Sequence, residues 1–280
     1  MQRTDLDVFE LWEQYVGQSG DPDEPIELAR SALVLSKVAY PNLAVEYPLS
    51  RLNALAGGVR KQLLAEPDPL AALNTLSQYL FEELGFRGNH EDYYDPRNSY
   101  LNDVLARRLG IPITLSLLYI EVGQRAGMPL VGVGLPGHFL VAHRGVPGLF
   151  VDAFHGGTLL TAAECEARFH AVTSRATPWH PGYLAPVSSR TFLARMMQNL
   201  KQIYLGARRR DLALTMQTLL VMLQPQDADH RRDRGLLEYE QGEYEGALDD
   251  LSAYLRLAPL AKDRNFVYDL TRRIRTELER

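Results

Sequence analysis

The segment Pro112–Ala126 constrains the fold of this chain more than any other. Ile113, Leu115, Leu117, Leu118, Tyr119, Ile120 and Val122 recur so closely that they cover nearly the whole circumference of a helix. A helix that is apolar all round has no face to give to water and is buried in the middle of a domain. Its limits are marked. Pro112 suits a first helical turn, where its fixed φ and missing N–H cost nothing. Gly127-Met128-Pro129 stops the helix.

What surrounds such a helix must cover it. Downstream, the pattern predicts strands over 130–135, 138–143 and 149–154, separated by Pro136-Gly137 and by Arg144-Gly145-Val146-Pro147-Gly148. A helix over 161–171 closes the unit. A meander packed on a buried helix is an α+β arrangement. Upstream, residues 6–85 read as helical. Leu6, Phe9, Leu11, Trp12 and Tyr15 recur at helical spacing, and so do Ile26, Leu28, Ala29, Ala32, Leu33, Leu35 and Val38. Tyr40-Pro41-Asn42 marks a turn, and helices are expected over 48–65 and, after Asp68-Pro69, over 69–84. Gly85–Pro96 is polar and loop-like. Asp95-Pro96-Arg97-Asn98-Ser99 can cap a helix running to Leu109, with Gly110 as its left-handed terminus.

The remainder is helical and repeats. Pro178–Pro186 carries three prolines and a glycine and reads as a linker. Beyond it, Ala213-Leu214 recurs as Ala247-Leu248, Leu223 as Leu257 and Pro225 as Pro259, each pair 34 residues apart (247 − 213, 259 − 225). That is the period of a tetratricopeptide repeat. The expected organisation is therefore a helical part plus α+β core over 1–177, a linker over 178–188 and repeat-like helices over 189–280.

Two residues of the predicted sheet carry chemistry, His138 and Asp152. If strands 138–143 and 149–154 form a hairpin, residues directly opposite share a constant index sum. A turn centred on Gly145 sets His138 opposite Asp152, and a turn centred on Val146 makes them diagonal neighbours, still within reach. An odd sum puts them on opposite faces. A carboxylate accepting from one ring nitrogen fixes the tautomer and leaves the other nitrogen as a base. The plainer alternative is a core histidine satisfied by a nearby aspartate. Gly137, just before His138, suggests close approach of something to the backbone.

Composition removes several classes. The 280 residues carry a formal net charge of −5, which gives no reason to expect a nucleic acid or an anionic membrane as partner. Arg208-Arg209-Arg210 and Arg231-Arg232 read as solvated charge runs. The one cysteine, Cys165, leaves no internal disulfide framework and no multi-cysteine metal site. His138 and His143 are five apart, so on a strand they point to opposite faces, and no His-Glu-x-x-His helix occurs. No metal and no cofactor is expected. Acids in MQRTDLDVFELWEQ interrupt any signal peptide, and no window is apolar enough for a membrane span. The expectation is a soluble, cytoplasmic protein.

Gly110-Ile111-Pro112-Ile113-Thr114-Leu115-Ser116, Gly127-Met128-Pro129, Pro136-Gly137-His138-Phe139-Leu140 and Val151-Asp152 together resemble the transglutaminase-like core. Asp95–Ser99, Arg195–Lys201 and Arg231–Gly235 narrow the resemblance to the bacterial SirB-type branch, in which tetratricopeptide repeats follow that core. In active members a cysteine opens the central helix, a histidine starts the next-but-one strand and an aspartate lies on the strand after. The resemblance lays histidine on His138, aspartate on Asp152 and the nucleophile on Pro112, which cannot attack anything.

Cys165 lies after both partners in chain order and in a surface helix, so it is a poor substitute. Thr114 and Ser116 stand near the helix start, and either hydroxyl would need His138 as its base. Asn98 and Asn102, with Gly137, are candidate cleft-lining residues. Three functions follow as expectations. One is a non-catalytic protein whose cleft and repeats bind a peptide or protein. Another is an acyl-transfer or amide-hydrolysing enzyme using Thr114 or Ser116 with His138 and Asp152. The last is a structural scaffold.

Overall fold

The computed structural model describes residues 7–16, 26–63, 68–173 and 177–279. Leu6 and the 64–65 end of the expected 48–65 helix lie outside the described residues. The chain divides into two units, one of residues 26–196 and one joining residues 1–25 to 197–280. Of the helices, α1 (Val8–Val16) belongs to the second unit.

The first unit begins with α2 (Leu28–Ser36), α3 (Glu46–Gln62) and α4 (Pro69–Ser77). The last starts as the sequence predicts: Asp68 caps it, its Oδ2 accepting from the Leu70 and Ala71 amides at 3.1 and 3.2 Å. A π-helical turn over Gln78–Glu83 continues it. The segment read as loop holds a short strand, β1 (Arg87–Gly88), and a 3-10 turn follows at Pro96–Asn98. The next helix, α5 (Leu101–Arg107), is shorter than expected. Arg108, at φ 61°, takes the left-handed position assigned to Gly110, because Leu109–Gly110 forms β2, pairing in parallel with β1.

Then comes α6 (Pro112–Arg125), and every residue from Pro112 to Gly123 is buried. Its one buried charge is answered. Glu121 pairs with Arg125 four residues on, and its Oε1 accepts from the Ala29 amide at 3.0 Å. The sheet has four strands rather than three, β3 (Leu130–Val133), β4 (Leu140–His143), β5 (Leu149–Asp152) and β6 (Thr158–Thr161), each antiparallel to the next. All three expected strands are shorter than predicted. Pro136-Gly137 holds His138 two residues outside β4, and a 3-10 turn at Ala153–His155 ends β5. Val141 faces Val151 and Ala142 faces Phe150, an index sum of 292, so the hairpin turns about Val146.

After β6, α7 (Ala162–Val172) is set by a reciprocal cap. Glu164 accepts from the Thr161 amide at 2.7 Å, and Thr161 Oγ accepts from the Glu164 amide at 3.4 Å. One face of α7 joins Cys165 and Phe169 to Val133, Leu135, Leu140, Phe150 and Leu160 in a buried cluster. The stretch read as a linker is packed onto it. Trp179, Tyr183 and Leu184 cover the cluster, and the Val187 amide donates to Gly132 O at 2.9 Å. Residues 189–196 of α8 (Ser189–Gly206) complete the unit.

The second unit is all helix, with the rest of α8, α9 (Arg210–Leu223), α10 (Ala228–Gln241), α11 (Tyr244–Leu257) and α12 (Arg264–Leu278); α1 contacts α9. The 34-residue repeat has a packing reason. Ala213 and its counterpart Ala247 are both fully buried. Gly235 lets α10 and α11 approach, since a Cβ there would lie 2.8 Å from Leu251 Cγ and 3.2 Å from Ala247 O. Among the described residues no helix is long and apolar enough to cross a membrane.

Candidate functional site

At the start of α6, Ile111 is extended and Pro112 takes the first helical position. Thr114, two residues on, is fully buried, and its hydroxyl is committed. Its Oγ donates to Asn98 O at 2.6 Å and accepts from the Ile111 amide at 3.1 Å. Ser116 Oγ, also buried, donates to Phe139 O at 3.4 Å. Neither hydroxyl hydrogen-bonds His138 among the described contacts. Both tie the helix to its neighbours, so the hydroxyl pair expected as weak nucleophile candidates is occupied structurally.

His138 and Asp152 do meet. The diagonal register brings Nε2 of the imidazole to 2.9 Å from Asp152 Oδ2. The imidazole is 11% exposed and the carboxylate 0%. That fixes one ring nitrogen and leaves Nδ1 without a hydrogen-bond partner among the described residues. Arg195 positions the backbone here. Its Nη2 donates to Leu135 O and His138 O, each at 3.0 Å, while its guanidinium lies over the Phe139 ring at 5.1 Å. Burial lowers the pKa of Arg195, with Tyr93 opposing.

Asp152 gathers more than His138. His155 Nδ1 approaches the same Oδ2 at 2.9 Å, Arg168 Nη1 approaches it at 2.6 Å, and the His155 amide donates to Oδ1 at 3.2 Å. Burial pushes the carboxyl up. The hydrogen bonds and charges of His138 and His155 outweigh it, and the net pKa lies below the ordinary value. The ligand atoms of His138, Asp152 and His155 lie within 4.8 Å of one another. Sequence reasoning weighed His143 as a companion of His138 and set it aside, and it missed His155 and Arg168. The available signal was the Asp152-x-x-His155 spacing at a strand end, which a single turn folds back on itself.

Aromatic and imidazole rings surround the pair. The Phe154 ring lies 6.3 Å from His138, 4.5 Å from His90 and 6.0 Å from Tyr93, and Tyr93 lies 5.3 Å from Tyr94. Tyr94 is 74% exposed. The other expected site residues fall elsewhere. Asn98 is fully buried and shapes the loop instead of lining a cleft, its Nδ2 donating to Asp92 O at 2.7 Å and its Oδ1 accepting from Asn89 at 3.1 Å. Asn102 is half-buried, and no described contact joins it to His138 or Asp152. Gly137 is required by its φ of +74°, and the group close to it is Val172, whose Cγ2 would lie 2.8 Å from an added Cβ.

Cys165, expected in a surface helix, is fully buried on the inner face of α7, and burial pushes its thiol up to about 11. At neutral pH its thiolate fraction is on the order of 10⁻⁴. Iodoacetamide should label it at least ~100-fold more slowly in native buffer than in urea, because access requires opening of the core. Rapid native labelling would return Cys165 to the candidate nucleophiles.

The profile of the transglutaminase-like superfamily matches residues 48–198, and a tetratricopeptide-repeat profile matches residues 200–272. A UPF0162 protein of Xylella fastidiosa (strain Temecula1) is 38% identical over 244 residues, covering 85% of this chain and 86% of that protein. A UPF0162 protein of Vibrio cholerae is 28% identical over 238 residues, covering 84% and 88%. The F-box only protein 21 of Mus musculus is 42% identical over 103 residues, 34% of this chain and 16% of that one. No solved structure matches the chain significantly.

Proposed function

This chain belongs to the transglutaminase-like superfamily, in the bacterial SirB-type branch with tetratricopeptide repeats that includes the UPF0162 proteins, and from that premise we propose that it binds a peptide or protein segment without cutting it. The observation that carries this is the division at the start of α6. The family resemblance lays the nucleophilic cysteine of active members on Pro112, and the Thr114 and Ser116 hydroxyls are spent on Asn98 O and Phe139 O. The His138–Asp152 pair persists beside exposed aromatic surface at Tyr93, Tyr94 and His90. Aromatic side chains supply contact area at low entropic cost and dominate many recognition surfaces. The repeats offer a second surface. A groove of about 410 Å³ in the helical unit is lined by Pro225, Arg231, Asp249, Ser252, Arg256 and Leu257. A location in the cytoplasm fits the single free cysteine.

The test is selection from a displayed random-peptide library on the full chain, followed by affinity measurement. Tyr94→Ala is expected to weaken selected peptides ~10-fold, the equivalent of ~1.4 kcal/mol. Cys165→Ala should change nothing. The reading fails if activated esters or amides are turned over by the chain and that turnover is lost in Thr114→Val, or if every selected peptide binds Tyr94→Ala and His90→Ala with unchanged affinity.

A further inference from the structure

We propose that His138, Asp152 and His155 form a site for a divalent transition-metal ion, with Arg168 as the cation that fills it in the ion's absence. The proposal is independent of peptide binding. It starts from a conflict at His155. Nδ1 lies 2.9 Å from Asp152 Oδ2 and 2.8 Å from Arg168 Nη1. A guanidinium only donates and a carboxylate only accepts. A single ring nitrogen cannot accept from the first and donate to the second. If Nδ1 carries the proton, N–H faces N–H. If it does not, its lone pair faces a carboxylate oxygen. The second arrangement is one that a cation bridging nitrogen and oxygen resolves, and Arg168 Nη1, 2.6 Å from that oxygen and 2.8 Å from that nitrogen, is the cation there now.

The spacing suits such an ion. Metal–ligand bonds of ~2.0–2.2 Å at angles between 90° and tetrahedral put neighbouring ligand atoms ~2.9–3.5 Å apart. Both imidazole nitrogens already stand 2.9 Å from Asp152 Oδ2, and all three ligand atoms lie within 4.8 Å of one another, so the exposed His155 ring closes on the ion by a small side-chain rotation. Two imidazoles and one carboxylate favour zinc, cobalt(II), nickel(II) or iron(II), whereas calcium and magnesium prefer all-oxygen sites. The pieces are also suitably placed. Asp152 is buried and fixed at the end of β5 and His138 is held through its backbone by Arg195, while His155 and Arg168 are 40% and 32% exposed. Arg168 can therefore swing into water from α7 when an ion enters. An ion held by three protein atoms keeps a coordination position for water or another ligand.

The full chain, stripped with a chelator, is titrated with Co²⁺ and followed by its visible absorption band. One equivalent is expected to bind. His155→Ala should weaken it at least ~10-fold, since even the loss of a group supporting a ligand costs that much. Arg168→Gln should tighten it ~10-fold by removing a competing cation; an unchanged affinity would overturn the role of Arg168. His155 is surface-exposed, so its variant tests the site without burdening the fold, and thermal melts of each variant check this. Absence of stoichiometric binding overturns the proposal. So does Co²⁺ affinity unchanged in His155→Ala, which would assign the ion to exposed histidines such as His170.

Discussion

Asp152→Ala is expected to destabilise the 26–196 unit by about 2–4 kcal/mol, lowering its melting temperature by ~5–15 °C. The carboxylate is fully buried, and one of its oxygens gathers His138, His155 and Arg168 within 2.9 Å. Removing one partner of a buried pair costs more than the pair is worth, because the other partner keeps its desolvation penalty. Here that partner is His138, 11% exposed. Arg168 and His155 reach water, which places the expected cost at the lower end for a broken buried network. Arg168→Ala alone should therefore cost less than ~1 kcal/mol. Asp152→Asn keeps the volume but turns an amide N–H₂ or a lone oxygen towards the same donors, so it should recover less than half of the loss. A melting temperature within ~1 °C of the parent for Asp152→Ala would mean that the network contributes nothing net.

The same residue shows what the sequence could and could not say about the site. That Asp152 meets His138 follows from hairpin arithmetic once the turn is known, and the sequence left two even registers open. The turn about Val146 is one of them. That His155 and Arg168 also converge on Asp152 depends on the Ala153–His155 turn and on where α7 lies across β6, which no local pattern encodes. Helix α6 was legible because its apolar residues saturate every face. Strand β6 was not, since Thr158-Leu159-Leu160-Thr161 has no alternation and follows two glycines at positive φ. The supposed linker misled for a different reason. Its prolines punctuate the chain as a linker's would, but Trp179 meets Phe169 edge-on and Tyr183 stacks on it, at 5.4 Å each, and the two half-buried rings hold the largely exposed segment against the core. Proline count reports backbone restriction, whereas the aromatic residues decide whether the segment packs on the core. Thr114 and Ser116 show the converse limit. Their position near the helix start suggested chemistry, and only the carbonyls of Asn98 and Phe139, distant in sequence, reveal that their protons are already used.

In the repeat unit, Glu238→Gln should stabilise the protein by about 2 kcal/mol at pH 8 and by nearly nothing at pH 4. Glu238 lies on α10 with its carboxyl packed against Gly246 of α11, where an added Cβ would be 3.1 Å away. Its side chain is 13% exposed, and Oε2 is buried with no hydrogen-bond partner. The nearest cation, Arg234, is 3.7 Å away and is engaged by Asp250, which Arg231 also meets at 3.0 Å. Burial and then the Asp250 charge raise the Glu238 carboxyl from 4.5 to about 7. The sign follows from the proton count. Between those two values the folded chain binds a proton that the unfolded chain has released. The contribution is therefore complete below pH 4.5, falls as pH rises towards 7 and is gone above it. A neutral amide of the same shape removes the charge that the fold disfavours at high pH, and matches the protonated acid at low pH. Thermal melts of parent and variant at pH 4 and pH 8 decide it: an equal gain at both pH values, or a loss at pH 8, would show that Arg234 compensates the carboxylate after all.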